Sequence, residues 1–93
     1  MRTQLQEQIF HSLHISRESL LDEMSILLAS NQLSEYKMEV DFFEKKYQRS
    51  FTEFDVLFQQ QEGKLEIEDD WMAWKFAQEA KNYWQEILQQ AKT

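Results

Sequence analysis

The scarcity of helix-breaking residues limits the fold of this chain more than any other feature. Its 93 residues include no proline and one glycine, Gly63. Proline interrupts a helix and glycine weakens one, so helices can run long almost anywhere in this sequence. Aromatic residues also recur at helical spacing between Tyr47 and Trp84. We therefore predict an all-α fold, a small helical domain of about four helices.

Two helices are predicted in the N-terminal part. Leu5, Ile9 and Leu13 recur at helical spacing, which indicates a short helix that ends near His14. Ser16 can then accept a hydrogen bond from a backbone amide at the start of a second helix. The first apolar stripe of that second helix consists of Leu20, Leu21, Met24, Leu27 and Leu28.

A second apolar stripe overlaps the first and follows a heptad repeat. It contains Ile26, Ala29, Leu33, Tyr36, Val40, Phe43 and Tyr47. This spacing is typical of the a and d positions of a coiled coil. If one helix is continuous from Arg17 to Gln48, its two stripes lie about 150° apart, and one of them can meet a second copy of the chain. The sequence thus predicts a long dimerising helix around residues 17–48, with Ile26, Leu33, Tyr36, Val40, Phe43 and Tyr47 in the homodimer interface. A break near Ser34 would instead let both stripes enter one core.

Two further helices are predicted in the C-terminal part. Ser50 and Glu53 have the spacing of a capping box, which starts a helix at Phe51. That helix should end near Gly63, since glycine is favoured just after a helix C-terminus. The last helix should start near Asp70 and end near Gln90, after acidic residues that suit the positive end of a helix dipole.

The charge of the chain points to a basic protein partner. Seventeen acidic and ten basic residues give a net charge of −7. This excess repels the phosphates of nucleic acid, so DNA binding is a weak alternative that depends on Arg2 and Arg17. Apolar runs such as Ile26 to Ala29 are much too short to span a membrane, and cysteine is absent. We expect a cytoplasmic protein that does not bind membranes.

The predicted partner-binding residues are aromatic, apolar and acidic. Trp71 lies on the opposite side of the last helix from its apolar arc, and Met38 and Phe42 lie off the heptad stripe among charged neighbours. Large aromatic side chains dominate many interfaces because they bury much area at little entropic cost. The full predicted set is Trp71, Met38, Phe42, Glu68, Asp69 and Asp70.

No catalytic or cofactor motif is recognisable. The sequence lacks a nucleophile elbow, a glycine-rich phosphate loop and a metalloprotease helix. His11, His14 and Glu18 have a spacing that can bind a divalent metal, but structural zinc sites nearly always use a larger ligand set. We expect no catalytic activity and no bound metal or cofactor.

The C-terminal half resembles small acidic prokaryotic antitoxins. The matching segments are Phe43-Glu44-Lys45-Lys46-Tyr47, Ser50-Phe51-Thr52-Glu53-Phe54 and Asp69-Asp70-Trp71-Met72-Ala73-Trp74. The antitoxin pattern has glycine where this chain has Gln48 and glutamate where it has Ala73. The resemblance implies an antitoxin of a type II toxin-antitoxin system, a non-enzymatic protein that neutralises a basic toxin by stoichiometric occlusion. It also implies two parts, residues 1–32 for dimerisation or DNA contact and residues 33–93 for partner binding.

A structural or assembly subunit of a larger complex is the second hypothesis. Such a subunit would use the same aromatic residues to dock onto a permanent neighbour. Both hypotheses describe a binding protein, and they differ in whether the partner is a free protein or part of a large assembly.

Overall fold

The described part of the chain is entirely helical apart from its turns. A computed structural model describes residues 2–14, 16–60 and 65–92, with side chains at 4–14, 16–60 and 67–91. These residues form α1 (Arg2–Ser12), α2 (Arg17–Tyr47), α3 (Phe51–Gln60) and α4 (Leu65–Lys92), and no β-strand. The all-α prediction is confirmed. Two predicted features, the Gly63 cap of α3 and the Arg2 side chain, lie outside the described parts.

The predicted helix starts at Ser16 and Ser50 are confirmed. The Ser19 amide donates a hydrogen bond to Oγ of Ser16 at 3.0 Å. At the start of α3, the Glu53 amide donates to Ser50 Oγ at 3.2 Å, and the Ser50 amide donates to the Glu53 carboxylate at 3.3 Å. These bonds stabilise the two starts because they satisfy backbone amides that have no partner within the helix.

The long helix α2 is continuous. Residues Ser30 to Ser34 do not interrupt it, because none of the residues there is a strong helix breaker. The helix ends at Tyr47, and the next residue, Gln48, has a left-handed backbone with a φ of 53°. The predicted boundary between residues 32 and 33 falls inside α2, so the two predicted parts share one helix.

The start of α4 differs from the prediction. The helix begins at Leu65 and not near Asp70. Acidic side chains are favoured in the first turns of a helix as well as just before it, since both positions are close to the positive end of the dipole. The acidic residues around Asp69 therefore belong to α4 itself.

An aromatic core joins α2, α3 and α4. Trp74 of α4 is fully buried, and its ring centroid lies 5.6 Å from Phe43 and 5.9 Å from Tyr47, both of α2. Phe51 and Phe54 of α3 lie 5.6 and 5.1 Å from the same ring. Stacked and tilted ring pairs at these distances are favourable. The core is thus centred on a single tryptophan.

The heptad stripe of α2 packs against α4 of the same chain. Val40 is fully buried and Phe43 nearly so, in one cluster with Trp74 and Ala77 of α4. The remaining predicted dimerisation residues range from partly buried to exposed: Leu33, Tyr36 and Tyr47 are partly buried, and Ile26 is exposed at the N-terminal end. The prediction assigned this stripe to a second copy. In the structure α4 occupies that place along Tyr36, Val40, Phe43 and Tyr47, because a heptad repeat fits any helix that packs alongside, including one of its own chain.

The molecule is elongated and has an unusually large surface. Its Cα radius of gyration is 19.9 Å, whereas a compact domain of this length has about 12 Å. Its accessible surface is 7800 Å², whereas a globular protein of this mass exposes about 5,800 Å². Much of the apolar surface of the helices is consequently left open.

Candidate interaction surface

The C-terminal end of α2 is fastened to α4 through Asp70. Lys46 Nζ lies 2.6 Å from Asp70 Oδ2, and the Tyr47 hydroxyl donates a hydrogen bond to the same oxygen. The hydrogen bonds from Lys46 and Tyr47 hold the pKa of Asp70 below its usual value, against the opposing effect of desolvation. Asp70 was predicted to bind a partner, but its carboxylate is engaged within the chain.

Trp71, another predicted partner-binding residue, joins α4 to α3. Its ring stacks on Phe58 at a centroid distance of 4.5 Å, and its Nε1 donates to Asp55 Oδ1 at 2.7 Å. Lys75 Nζ lies 5.2 Å from the centroid of the Trp71 ring. The side chain is only partly exposed. The prediction treated this side of α4 as open, whereas α3 covers it.

An open apolar surface lies on another side of the α2–α4 pair. Met38 and Phe42 of α2 and Phe76 of α4 are 71, 59 and 62 % exposed. An open cavity of about 410 Å³ between the two helices is lined by Met38, Glu39, Phe42, Phe43 and Ala73. Single apolar residues on a surface are ordinary, but contiguous patches mark interaction sites. Met38 and Phe42, both predicted to bind a partner, therefore lie in a patch that suits that role.

A second apolar stripe of α4 continues this surface. Ala73, Phe76, Ala80, Tyr83 and Ile87 follow one another at alternating spacings of three and four residues, as in a helix-packing seam. Phe76 and Tyr83 are exposed, and Ala80 and Ile87 are partly exposed. Small and large side chains alternate, so the alanines leave room for side chains of another helix. We call Met38, Phe42 and this stripe the α2–α4 face.

The sequence contained the signal for the α4 stripe, but the prediction missed it. All apolar residues of α4 were read as one broad arc. The structure divides that arc into a buried part around Trp74 and Ala77 and an open part around Phe76 and Tyr83. The residues of the open part follow a heptad spacing, and this spacing would have distinguished them from the buried part.

Carboxylates border the α2–α4 face. The exposed acidic residues on this border are Glu35, Glu39, Asp69, Glu79 and Glu86. Glu39 lines the cavity itself, and the others lie one helical turn from an apolar residue of the face. Glu68, which was predicted with Asp69 to bind a partner, is also exposed; it lies on the same side of α4 as Glu79 and Glu86 but precedes Ala73, the first residue of the stripe, by more than one turn. The basic side chains at the same spacing are Lys45 and Lys46, and Lys46 is paired with Asp70. Carboxylates therefore predominate around the apolar contact area and favour a negative potential there.

The described residues contain no group of three or more His, Cys, Asp or Glu side chains placed to hold a metal ion. His11 lies in the last turn of α1, and His14 lies in the following turn with a left-handed backbone. None of the described helices combines the length and the apolar character needed to cross a bilayer.

Comparisons with protein families, with curated proteins and with solved structures found no match to this chain.

Proposed function

We propose that the chain is a non-enzymatic, cytoplasmic protein that binds a basic partner protein on the α2–α4 face. The observation that carries the proposal is the presence of large exposed apolar side chains, such as Phe42 and Phe76, within a border of carboxylates. Burial of the apolar side chains contributes affinity, at about 25 cal/mol per Å² before the costs of association. The carboxylates select a partner with basic residues and speed its approach.

The partner segment that fits best is an amphipathic helix with lysine or arginine beside its apolar stripe. The α4 stripe has the spacing with which helices pack along each other. Ala73 and Ala80 admit large side chains from the partner helix, and Glu79 and Glu86 lie where its flanking basic residues approach. An acidic helix in the same position would be repelled by these glutamates, which gives the site its selectivity.

The most specific form of the proposal is an antitoxin of a type II system. The resemblance of the C-terminal half to acidic antitoxins supports it, and an acidic, apolar docking face is consistent with a basic toxin as partner. The chain would neutralise the toxin by covering its working surface in a stoichiometric complex. Charge attraction then sets a fast association rate, and buried apolar contacts set a slow dissociation rate.

Growth rescue tests the antitoxin form. A small basic protein encoded beside this chain should stop growth when it is expressed alone, and co-expression of the chain should restore growth. Phe42→Asp and Phe76→Asp should each abolish the rescue, because they place a charge within the apolar contact. Both side chains are exposed, so the substitutions should leave the fold intact.

Val56→Asp is the matched control for these two variants. Val56 is an exposed apolar residue of α3 and lies outside the α2–α4 face, so rescue should persist. Full rescue by Phe42→Asp and Phe76→Asp, or the absence of a lethal basic neighbour, would contradict the antitoxin form.

A structural subunit of a larger assembly is the second candidate function. The elongated shape favours it, since a radius of gyration of 19.9 Å leaves much surface for permanent neighbours. Co-purification with a large assembly at fixed stoichiometry, without a lethal neighbouring gene, would favour this function over the antitoxin.

A further inference from the structure

A second open apolar surface lies in the N-terminal part of the chain. We call residues 4–14 and 16–28 the N-terminal arm, which comprises most of α1 and the first part of α2. Its exposed apolar side chains include Ile9, Leu13, Leu21, Met24, Leu27 and Leu28. The polar residues Asn31, Ser34 and Glu35 separate the arm from Met38 on the α2–α4 face. The arm is therefore a distinct surface.

α1 is too short to be stable without a packing partner. It has 11 residues, and isolated helices shorter than about 12–15 residues are marginal in water. An ion pair between Glu7 and Arg17, at 3.9 Å, links α1 to α2, but both side chains are mostly exposed. Such exposed pairs contribute about 0–1 kcal/mol. The apolar stripe of α1, with Ile9 and Leu13, must be covered for the helix to persist.

The surface of the whole chain is large enough for a stable homodimer. The surface of 7800 Å² exceeds that of a globular protein of this mass by about 2,000 Å². Obligate homodimers bury about 2,000 Å² or more in total over both subunits. An interface that covers about half of this excess surface on each copy would therefore reach the size of an obligate homodimer interface.

The charge distribution distinguishes which surface meets a second copy. The arm contains one basic side chain, Arg17, and four acidic ones, but two of these, Glu18 and Asp22, lie on the sides of α2 that are turned away from the stripe of Leu20 to Leu28. Two copies can therefore bring these stripes together without placing Glu18 or Asp22 in the contact. Two copies of the α2–α4 face would bring carboxylates such as Glu79 and Glu86 against each other. The arm thus suits a second copy, and the α2–α4 face suits a basic partner.

We propose that a second copy of this chain covers the N-terminal arm, so that α1 and the first part of α2 from two copies form a four-helix interface. The stripe used is Leu20 to Leu28, which lies on the side of α2 away from Val40 and the core. This stripe differs from the heptad stripe, which α4 occupies. The inference does not depend on the function of the α2–α4 face.

Sedimentation equilibrium of the full chain, from micromolar to near-millimolar concentration, tests this inference. The wild-type protein should have twice the mass of the 11.4 kDa chain. Leu27→Asp and Ile9→Asp should each raise the dimer dissociation constant at least about tenfold, because each places a charge in the apolar interface. Phe42→Asp is the control, since Phe42 is equally exposed but lies outside the arm. It should remain a dimer.

Far-UV circular dichroism shows whether the variants retain their helices, and Ile9→Asp and Leu27→Asp lie on different helices. A wild-type protein that is monomeric over the whole concentration range would overturn the inference. So would a dimer that both arm variants leave unchanged, or one that Phe42→Asp dissociates.

Discussion

Replacing Trp74 by alanine should remove a large part of the stability of the fold. Trp74 is 0 % exposed, and four aromatic rings of α2 and α3 lie between 5.1 and 5.9 Å from it. Truncation of a buried tryptophan costs about 3–5 kcal/mol through lost contacts and the cavity left behind. Trp74 Nε1 is buried without a hydrogen-bond partner among the described residues. Because the substitution also removes this unsatisfied group, it regains about 1 kcal/mol of the lost stability. The expected net loss is about 2–4 kcal/mol, against about 5–15 kcal/mol for a typical domain.

Phe76→Ala is the matched control for Trp74→Ala. It removes an aromatic side chain two positions further along α4, but that side chain is 62 % exposed. Its ring contact with Tyr36, at a centroid distance of 5.8 Å, is lost. The free energy of unfolding should fall by less than about 1 kcal/mol, as for most surface substitutions.

Urea denaturation followed by far-UV circular dichroism measures both changes, since helix content reports on the whole fold. Equal losses for Trp74→Ala and Phe76→Ala would refute the division of α4 into a buried and an open side. So would a loss below about 1 kcal/mol for Trp74→Ala.

Three further substitutions test individual contacts by the same urea denaturation. Gln48→Gly should raise the free energy of unfolding by about 1 kcal/mol, because glycine adopts the left-handed backbone at that position without steric cost; an unchanged or lower value would contradict this. Trp71→Phe should lower it by about 1–2 kcal/mol, since the stacked ring is kept but the hydrogen bond to Asp55 is lost; no change would show that bond to be unimportant. Asp70 has a lowered pKa in the folded state. Its carboxylate therefore stabilises the fold at pH values above its unfolded-state pKa of about 3.9, and this stabilisation is lost as the pH falls through its folded-state pKa. Stability should therefore fall less steeply with acid in Asp70→Asn than in the wild type, and identical pH profiles would contradict the assignment.

The helices were predictable because local signals determine them. The Ser50 and Glu53 capping box fixes the start of α3, and the absence of proline allows α2 to run from Arg17 to Tyr47. The left-handed residue that ends α2 was not foreseen, although the antitoxin pattern has glycine at the position of Gln48. A glutamine there gives no sequence signal for a left-handed backbone.

The partners of each helix face were harder to predict. A heptad repeat shows that Val40 and Phe43 share one side of α2, but it fits a helix of the same chain as well as one of a second copy. The helical wheel likewise places Trp71 away from the main apolar arc, but it does not show that α3 packs there. Which face is covered depends on how the chain turns after α3, and periodicity within one helix does not contain that information.

Binding of a pair of synthetic amphipathic peptides tests the role of the α2–α4 face most directly. One helical peptide consists of leucine and lysine, and the other has glutamate in place of lysine. Isothermal titration calorimetry should show that the lysine peptide binds the wild-type protein stoichiometrically and that this binding weakens with salt. The same peptide should bind Phe76→Asp at least about tenfold more weakly than it binds the wild type. The glutamate peptide should not bind. Equal affinity of wild-type protein and Phe76→Asp for the lysine peptide, or equal binding of both peptides, would contradict the assignment of this face to a basic partner.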